Sequence, residues 1–334
     1  MSDRSPQSSR GHASIAAGIA LAVLLTAGGC ASKPEHAAAH AVESLLDADQ
    51  PQAAAEALEA CLHQYPNSLE LLRLRVIVLL RVDRLEPALT ALQRLPAYDP
   101  VLGQALHHRN LIVRAAAARL IAEHALPVGC RDLARALEDS QPAVRRYCAE
   151  AAGRRRDCAA LRPLFRLLYD DDQSVHVAAV TAFGNLGDPR AAGWLIPQLD
   201  VNDAAVHAAV EVALTKIAGP ANRELLLGAL RTATRRRQLG LALALAQLEE
   251  PSVLPLLVQT ARQGAVEERP NATQALGNYA NPVVTNALES LLTDPDPAVR
   301  QAADRAWQKL QTRQGNKSGS ADGPAVCHCG CGYG

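Results

Sequence analysis

Seven segments of the chain repeat one pattern at a constant spacing of 31 residues, and this period constrains the fold more than any other property. Val113, Val144, Val175, Val206, Arg237, Glu268 and Val299 stand in register. Seven residues on come Leu120, Ala151, Ala182, Ala213, Ala244, Ala275 and Ala306, followed by Ile121, Ala152, Phe183, Leu214, Leu245, Leu276 and Trp307. Small beside large is a face for close helix packing. A second stripe, Leu133, Leu164, Leu195, Leu226, Leu257 and Leu288, is joined four residues later by Leu137, Leu168, Leu199, Leu230, Ala261 and Leu292, the spacing of one helix side. Gly187-Asp188-Pro189, Gly219-Pro220, Glu250-Pro251 and Asn281-Pro282 stop one helix and open the next. The unit is a helical hairpin, with six full copies over 108–293 and a terminal half unit over 294–313. Only 3% of the residues are aromatic, so Ala, Leu and Val must build the core, which suits closely packed helices better than sheets.

A different period of 34 governs residues 35–100, where Leu45 matches Leu79, Asp49 matches Asp83, Ala54 matches Ala88, Leu58 matches Leu92 and Pro66 matches Pro100. This segment resembles two tetratricopeptide repeats, with Val42 and Val76 at the family's first-helix glycine. The phrases from Asp139 to Arg145 and from Asp294 to Arg300, with the G-N-containing runs that begin at Ala182 and Ala275, resemble HEAT-like repeats of the phycobilisome-lyase type. The expected fold is all-α, a right-handed α-solenoid in which a tetratricopeptide-like pair (35–100) precedes a HEAT-like array (101–313).

At the N-terminus, Arg4 and Arg10 precede the apolar run Ala13–Ala27 and then Gly28-Gly29-Cys30-Ala31-Ser32. The run is shorter than the ~20 residues of a spanning helix, and small residues flank the cysteine as a signal peptidase requires. The pattern resembles a bacterial lipoprotein signal, with Ala27 where Leu is usual. It implies a signal peptide over 1–29, lipid on Cys30 and a tether over 30–34. Ala31 in second place favours an outer-membrane anchor facing the periplasm, an extracytoplasmic address.

At the other end, a linker over 314–326 leads to a Cys/Gly-rich tail, 327–334. Cys327, His328, Cys329 and Cys331 place three thiols and an imidazole within five residues, a donor set suited to Cu(I) or Zn(II). The spacing matches no zinc finger, and redox chemistry is open to the same thiols. Of the other cysteines, Cys61 and Cys148 fall at packing positions and read as small buried hydrophobes, while Cys130 and Cys158 flank the starts of second helices. A disulfide among Cys130, Cys148 and Cys158 turns on a separation that spacing does not supply. His36 with His40, and His107 with His108, are incomplete zinc sites.

The charges balance, with 34 Lys and Arg against 34 Asp and Glu, so the global basic field of a nucleic-acid binder is absent. Asp139 and Arg145, like Asp294 and Arg300, recur wherever the repeat is well formed. They read as a structural ladder, the acid capping a turn and the Arg bridging to the acid of an adjacent layer. Asp170-Asp171-Asp172 occupies the same slot and is not read as a calcium loop. Two arginine groups are candidate partner-binding positions: Arg131, Arg135, Arg162 and Arg166 on second helices, which the HEAT resemblance places on the concave face, and Arg235, Arg236 and Arg237 at a turn. No nucleophile elbow, P-loop or zincin motif stands in a confirming context, so no catalytic residue is assigned. The expected function is a lipid-anchored scaffold for protein partners, not an enzyme and without a resident cofactor. Metal binding by the tail is the alternative. A lyase reading rests on the HEAT-like resemblance alone, since some such relatives attach bilins to phycobiliproteins, and an extracytoplasmic address removes that substrate.

Overall fold

The computed structural model describes residues 34–96, 99–156 and 160–316, and no strand occurs among them. Cys30, Cys158 and the tail residues Cys327, His328, Cys329 and Cys331 lie outside the described residues, as do the expected signal segment and the expected tether up to residue 33. The chain divides into two compact units after Gly187.

The first unit opens with two helical hairpins, α1 (Pro34–Asp47) with α2 (Pro51–Gln64), and α3 (Leu69–Arg81) with α4 (Leu85–Leu92). Ala54 and Ala88 are fully buried and let the helices of each hairpin approach, while Val42 and Val76 fill the facing positions with no exposure. Both hairpin turns pass through a left-handed residue, Asp49 (φ 58°) and Asp83 (φ 54°), a conformation that aspartate tolerates better than most residues.

After α5 (Val101–Leu106) come α6 (Leu111–His124), α7 (Cys130–Ala136), α8 (Pro142–Arg155), α9 (Leu161–Leu167) and α10 (Gln173–Leu186). The 14-residue helices α6, α8 and α10 are the first helices of the 31-residue repeat, and they stack directly on one another. Their small residues make this contact close: a Cβ on Gly153 of α8 would sit 2.7 Å from the Ala182 Cα of α10. The shorter second helices α7 and α9 pack on their neighbouring first helices through Leu133 and Leu164, both fully buried. Burial of each such leucine contributes roughly 1.5–3 kcal/mol. Every first helix here ends on a left-handed residue, Ala125 (φ 49°), Arg156 (φ 51°) and Gly187 (φ 72°), again 31 apart, and only the last is the glycine this conformation prefers. Arginines reinforce one of these ends: Arg154 donates to the Ala122 carbonyl and Arg155 to that of Val128, at 2.9 Å in the second case.

The second unit runs through α11 (Ala192–Leu195), α12 (Ala204–Ile217), α13 (Arg223–Arg231), α14 (Arg235–Ala246), α15 (Leu254–Gln263), α16 (Arg269–Leu276), α17 (Pro282–Leu291) and α18 (Pro297–Asn316). Three of its second-helix segments begin with a proline whose preceding side chain caps the turn. Asp188, Glu250 and Asn281 accept from the N–H groups of Arg190, Ser252 and Val283, capping donors that have no intrahelical partner. Among the first helices, α14 is unusual: every residue from Leu239 to Ala246 is buried. A helix apolar all round must be flanked on every side. Gly240 permits this recess, since a Cβ there would lie 2.9 Å from Leu199 Cδ2 and 3.3 Å from Glu211 Cγ. Among the described residues no helix is long and apolar enough to cross a membrane.

Candidate functional site

The recurrent acid and arginine form contacts between layers. In the first unit Arg114 pairs with Asp139 (2.7 and 3.3 Å) and Arg145 with Asp170 (2.7 and 2.8 Å), each guanidinium gripping the carboxylate 25 residues ahead with two N–H groups. Each arginine also donates to two carbonyls at the start of its own helix, Arg145 to Asp139 (2.8 Å) and Ser140 (3.1 Å). Each acid in turn accepts from the N–H two residues on, Asp139 from Gln141 at 2.8 Å and Asp170 from Asp172 at 3.0 Å. Asp139 and Arg145 are thus not partners through their charges; each pairs with the neighbouring layer. Burial opposes the charge on Asp170, yet the Arg145 guanidinium and the Asp172 N–H outweigh it and hold its pKa below the usual value. Asp172, the third acid of the run, caps α10 through the N–H groups of Ser174 and Val175.

The arginine recurs at the 31-residue period as Arg114, Arg145, His176, His207, Gln238, Arg269 and Arg300, and the acid slot as Asp139, Asp170, Val201, Thr232, Gln263 and Asp294. The second unit has one complete rung, Arg269 with Asp294, after which Arg300 donates to the carbonyls of Asp294 and Pro295. His207 keeps only a contact to the Arg236 carbonyl (3.2 Å) and lies 3.7 Å from Glu211. Between α14 and α16 the rung is replaced by Gln238 and Gln263, and these two helices pack more sparsely than their neighbours.

Three of the seven candidate partner-binding arginines are engaged within the chain. Arg237 binds Asp200 through two N–H groups, Arg236 donates to Asn202 Oδ1 (3.2 Å), and Arg166 pairs with Glu138. Asp200 and Asn202 thus engage two of the three arginines of the Arg235–Arg237 turn. Arg131, Arg135, Arg162 and Arg235 are exposed and make no side-chain hydrogen bond or ion pair with the described residues. The first helices α6, α8 and α10, rich in Ala and Gly, pack on one another more closely than the arginine-bearing second helices α7 and α9 do.

Each unit holds a cavity among the described residues. One of about 330 Å³ in the first unit is lined by Asp47, Asp49, Arg81, His108 and Arg109, and its charges satisfy one another: Arg81 pairs with Asp49 and Arg109 with Asp47. The other, about 290 Å³, lies over the recessed α14. Leu243 and Gln247 form its floor, Glu211, Val212 and Thr215 of α12 one wall, and Asn271, Gln274 and Asn278 the other, with Lys309 of α18 at the end. Burial pushes the Glu211 carboxyl up and the Lys309 ammonium down.

Two family profiles match the chain. The HEAT repeat family matches residues 100–177 and 236–308, and the tetratricopeptide repeat family matches residues 45–109. The chain joins a tetratricopeptide repeat region to HEAT repeats. No curated protein sequence matches it. Solved structures similar to it include the complex of CpcE and CpcF of phycocyanin lyase from Nostoc sp. PCC7120, with 24% identity over 64% of this chain and 93% of that one and a TM-score of 0.40. An engineered protein has 19% identity over 92% of each chain and a TM-score of 0.44. Human deoxyhypusine hydroxylase has 18% identity over 63% of this chain and 95% of that one, with a TM-score of 0.29.

Within the HEAT repeats Cys148 is buried, and burial pushes its thiol far above the usual range, which leaves it a packing residue. Cys61, in the tetratricopeptide region, is only partly buried, so its reading as a core residue is corrected. Cys130 is exposed. His36 pairs with Glu70, and among the described residues no group of three or more His, Cys, Asp or Glu is placed to hold a metal. The cavity over α14 escaped the sequence reading. Its signal was the charge-free stretch Leu239–Ala246 in a repeat position where other units carry polar residues.

Proposed function

We propose that the chain is a lipid-anchored, extracytoplasmic scaffold that binds protein partners through its helical repeat surface and performs no catalysis. Tetratricopeptide and HEAT repeats generally mediate protein–protein interaction. One observation carries the reading to particular residues: where the repeat uses arginine for its own cohesion the guanidinium is paired, whereas Arg131, Arg135, Arg162 and Arg235 stand exposed without such a partner among the described residues. Guanidinium groups in that state can grip carboxylates of a partner with two hydrogen bonds each. The lipid on Cys30 and the outer-membrane address come from the N-terminal pattern.

In-cell crosslinking from a photoreactive residue at Arg162, with metabolic labelling by palmitate, tests both parts. A discrete crosslinked partner and a label lost in Cys30→Ser support the reading; no crosslink, or a label that persists, counts against the corresponding part. A second reading follows from the tail: Cys327, His328, Cys329 and Cys331 bind Cu(I) or Zn(II). Titration of the reduced protein against a chain ending at Pro324 decides it, since equal metal uptake by both removes the tail as ligand.

A further inference from the structure

The repeat suspends its own rule at one place, and a groove opens there. Gln238 and Gln263 replace the arginine and acid that would tie α14 to α16, and α14 is sunk between α12 and α16. The polar side chains along the α16 wall are carboxamides. Asn271, Gln274 and Asn278 follow one another at i, i+3 and i+7, one side of α16 and its extension, and Gln247 faces them from the floor. A carboxamide offers both a donor and an acceptor, which matches the alternating C=O and N–H of an extended backbone.

Asn278 adds direction. It is 3% exposed, and its Oδ1 accepts from Lys309 Nζ at 2.5 Å. An ammonium can only donate, so this contact fixes which end of the amide is oxygen. The remaining Nδ2 is buried with no hydrogen-bond partner, a state that free protein side chains rarely keep. Lys309 itself is exposed and retains donors to spare. Arg313 donates to the Asn278 carbonyl and pairs with Glu249, so its own charge is already met and Lys309 is the cation left at that end. An oxygen acceptor bearing negative charge fits there, and a basic group does not. The opposite wall carries both Glu211, beside His207, and Lys216, so the groove as a whole has mixed charge and lacks the uniform positive field that a nucleic-acid backbone needs.

We propose that this groove binds an extended peptide segment of a partner protein, its backbone held by Gln247, Asn271 and Gln274 and one acidic side chain received by Asn278 and Lys309. The proposal rests on the scaffold reading and gives that scaffold a specific peptide class. A guest carboxylate entering beside Lys309 satisfies the idle Nδ2 and the ammonium together. The open side of the groove admits a strand and leaves the guest's alternate side chains in solvent.

The probe is a phage-displayed library of random seven-residue peptides, panned on the detergent-solubilised full chain and on its Lys309→Glu and Asn278→Asp variants. Circular dichroism checks that each variant keeps its helix content. On the unmodified chain the expected result is at least a fivefold enrichment of Asp or Glu at one fixed position. Lys309→Glu, an exposed charge reversal, should move that enrichment to Lys or Arg, and Asn278→Asp should abolish it. No positional enrichment on the unmodified chain, or the same acidic preference on the Lys309→Glu variant, overturns the proposal. Crosslinking from Arg162 reports separately: a partner captured there while the groove selects nothing removes the groove and leaves the scaffold standing.

Discussion

The stack of α6, α8 and α10 in the first unit and the stack of α12, α14 and α16 in the second are built on the same 31-residue pattern, yet they solve the joint between layers differently. In the first, two-pronged Arg–Asp pairs close each joint, and Gly153 lets backbones meet. In the second, His207 and Gln238 stand where arginine would, a helix is recessed, and carboxamides line the gap. A repeat protein can therefore specialise one part of its surface by omitting a cohesive contact rather than by adding a motif. The energetic cost stays local because each layer contacts only its neighbours.

The largest expected effect comes from breaking a rung. Arg145→Ala leaves the Asp170 carboxylate, whose side chain is 8% exposed, without its counter-charge, and should cost about 3 kcal/mol in the unfolding free energy read from a urea titration. Next is the glycine contact. Gly153→Ala drives a methyl into the Ala182 backbone and should cost about 2 kcal/mol, whereas Gly240→Ala meets mainly the end of the Leu199 side chain and should cost no more than about 1 kcal/mol. Equal losses at the two sites would contradict the view that the two stacks are joined differently.

The pH responses of the two stacks should have opposite sign. Asp170 has a depressed pKa, so its contribution is full above the unfolded value of about 4 and is lost as pH falls through the lower folded value. Glu211 has a pKa raised by burial, so its contribution is full below the ordinary value and is lost as pH rises through the higher folded one. Thermal melts of Asp170→Asn should lose the acid-side decline, and melts of Glu211→Gln should become more stable toward neutral pH. A smaller effect is expected at the left-handed joints: Ala125→Gly relieves a strained φ and should stabilise by about 0.5 kcal/mol. Smallest is Arg166→Ala, which removes an exposed pair with Glu138 and should change stability by less than about 0.5 kcal/mol.

Hairpins and their joints were legible because the apolar stripes and the Gly-Pro and Asn-Pro breaks recur at a fixed spacing that only stacking layers produce. The ladder was half legible. Asp139 and Asp294 announce themselves by repetition, but their arginine partners lie 25 residues upstream, a distance set by the rise of one layer and not by any local turn. The groove was not legible in the same way. It depends on α14 sinking past its neighbours, which follows from Gly240 and from the absence of charge between Leu239 and Ala246, features that look like ordinary core when read along one helix. The free arginines were marked by sequence, but only the positions of Asp200, Asn202 and Glu138 separate those that are engaged from those that are not.

The missing rung also has a mechanical meaning. Two helices clipped by a guanidinium must break several directional bonds before they separate, while α14 and α16 lack that clip and are joined by apolar contact and, past their C-terminal ends, by the Tyr279 hydroxyl, which donates to the Glu250 carbonyl at 2.9 Å. Pulled along its stack, the second unit should part first at that seam, and the groove residues would be the first to feel tension. A segment lodged across the seam would act as a splint, so occupancy of the groove and resistance to force in this unit would rise and fall together.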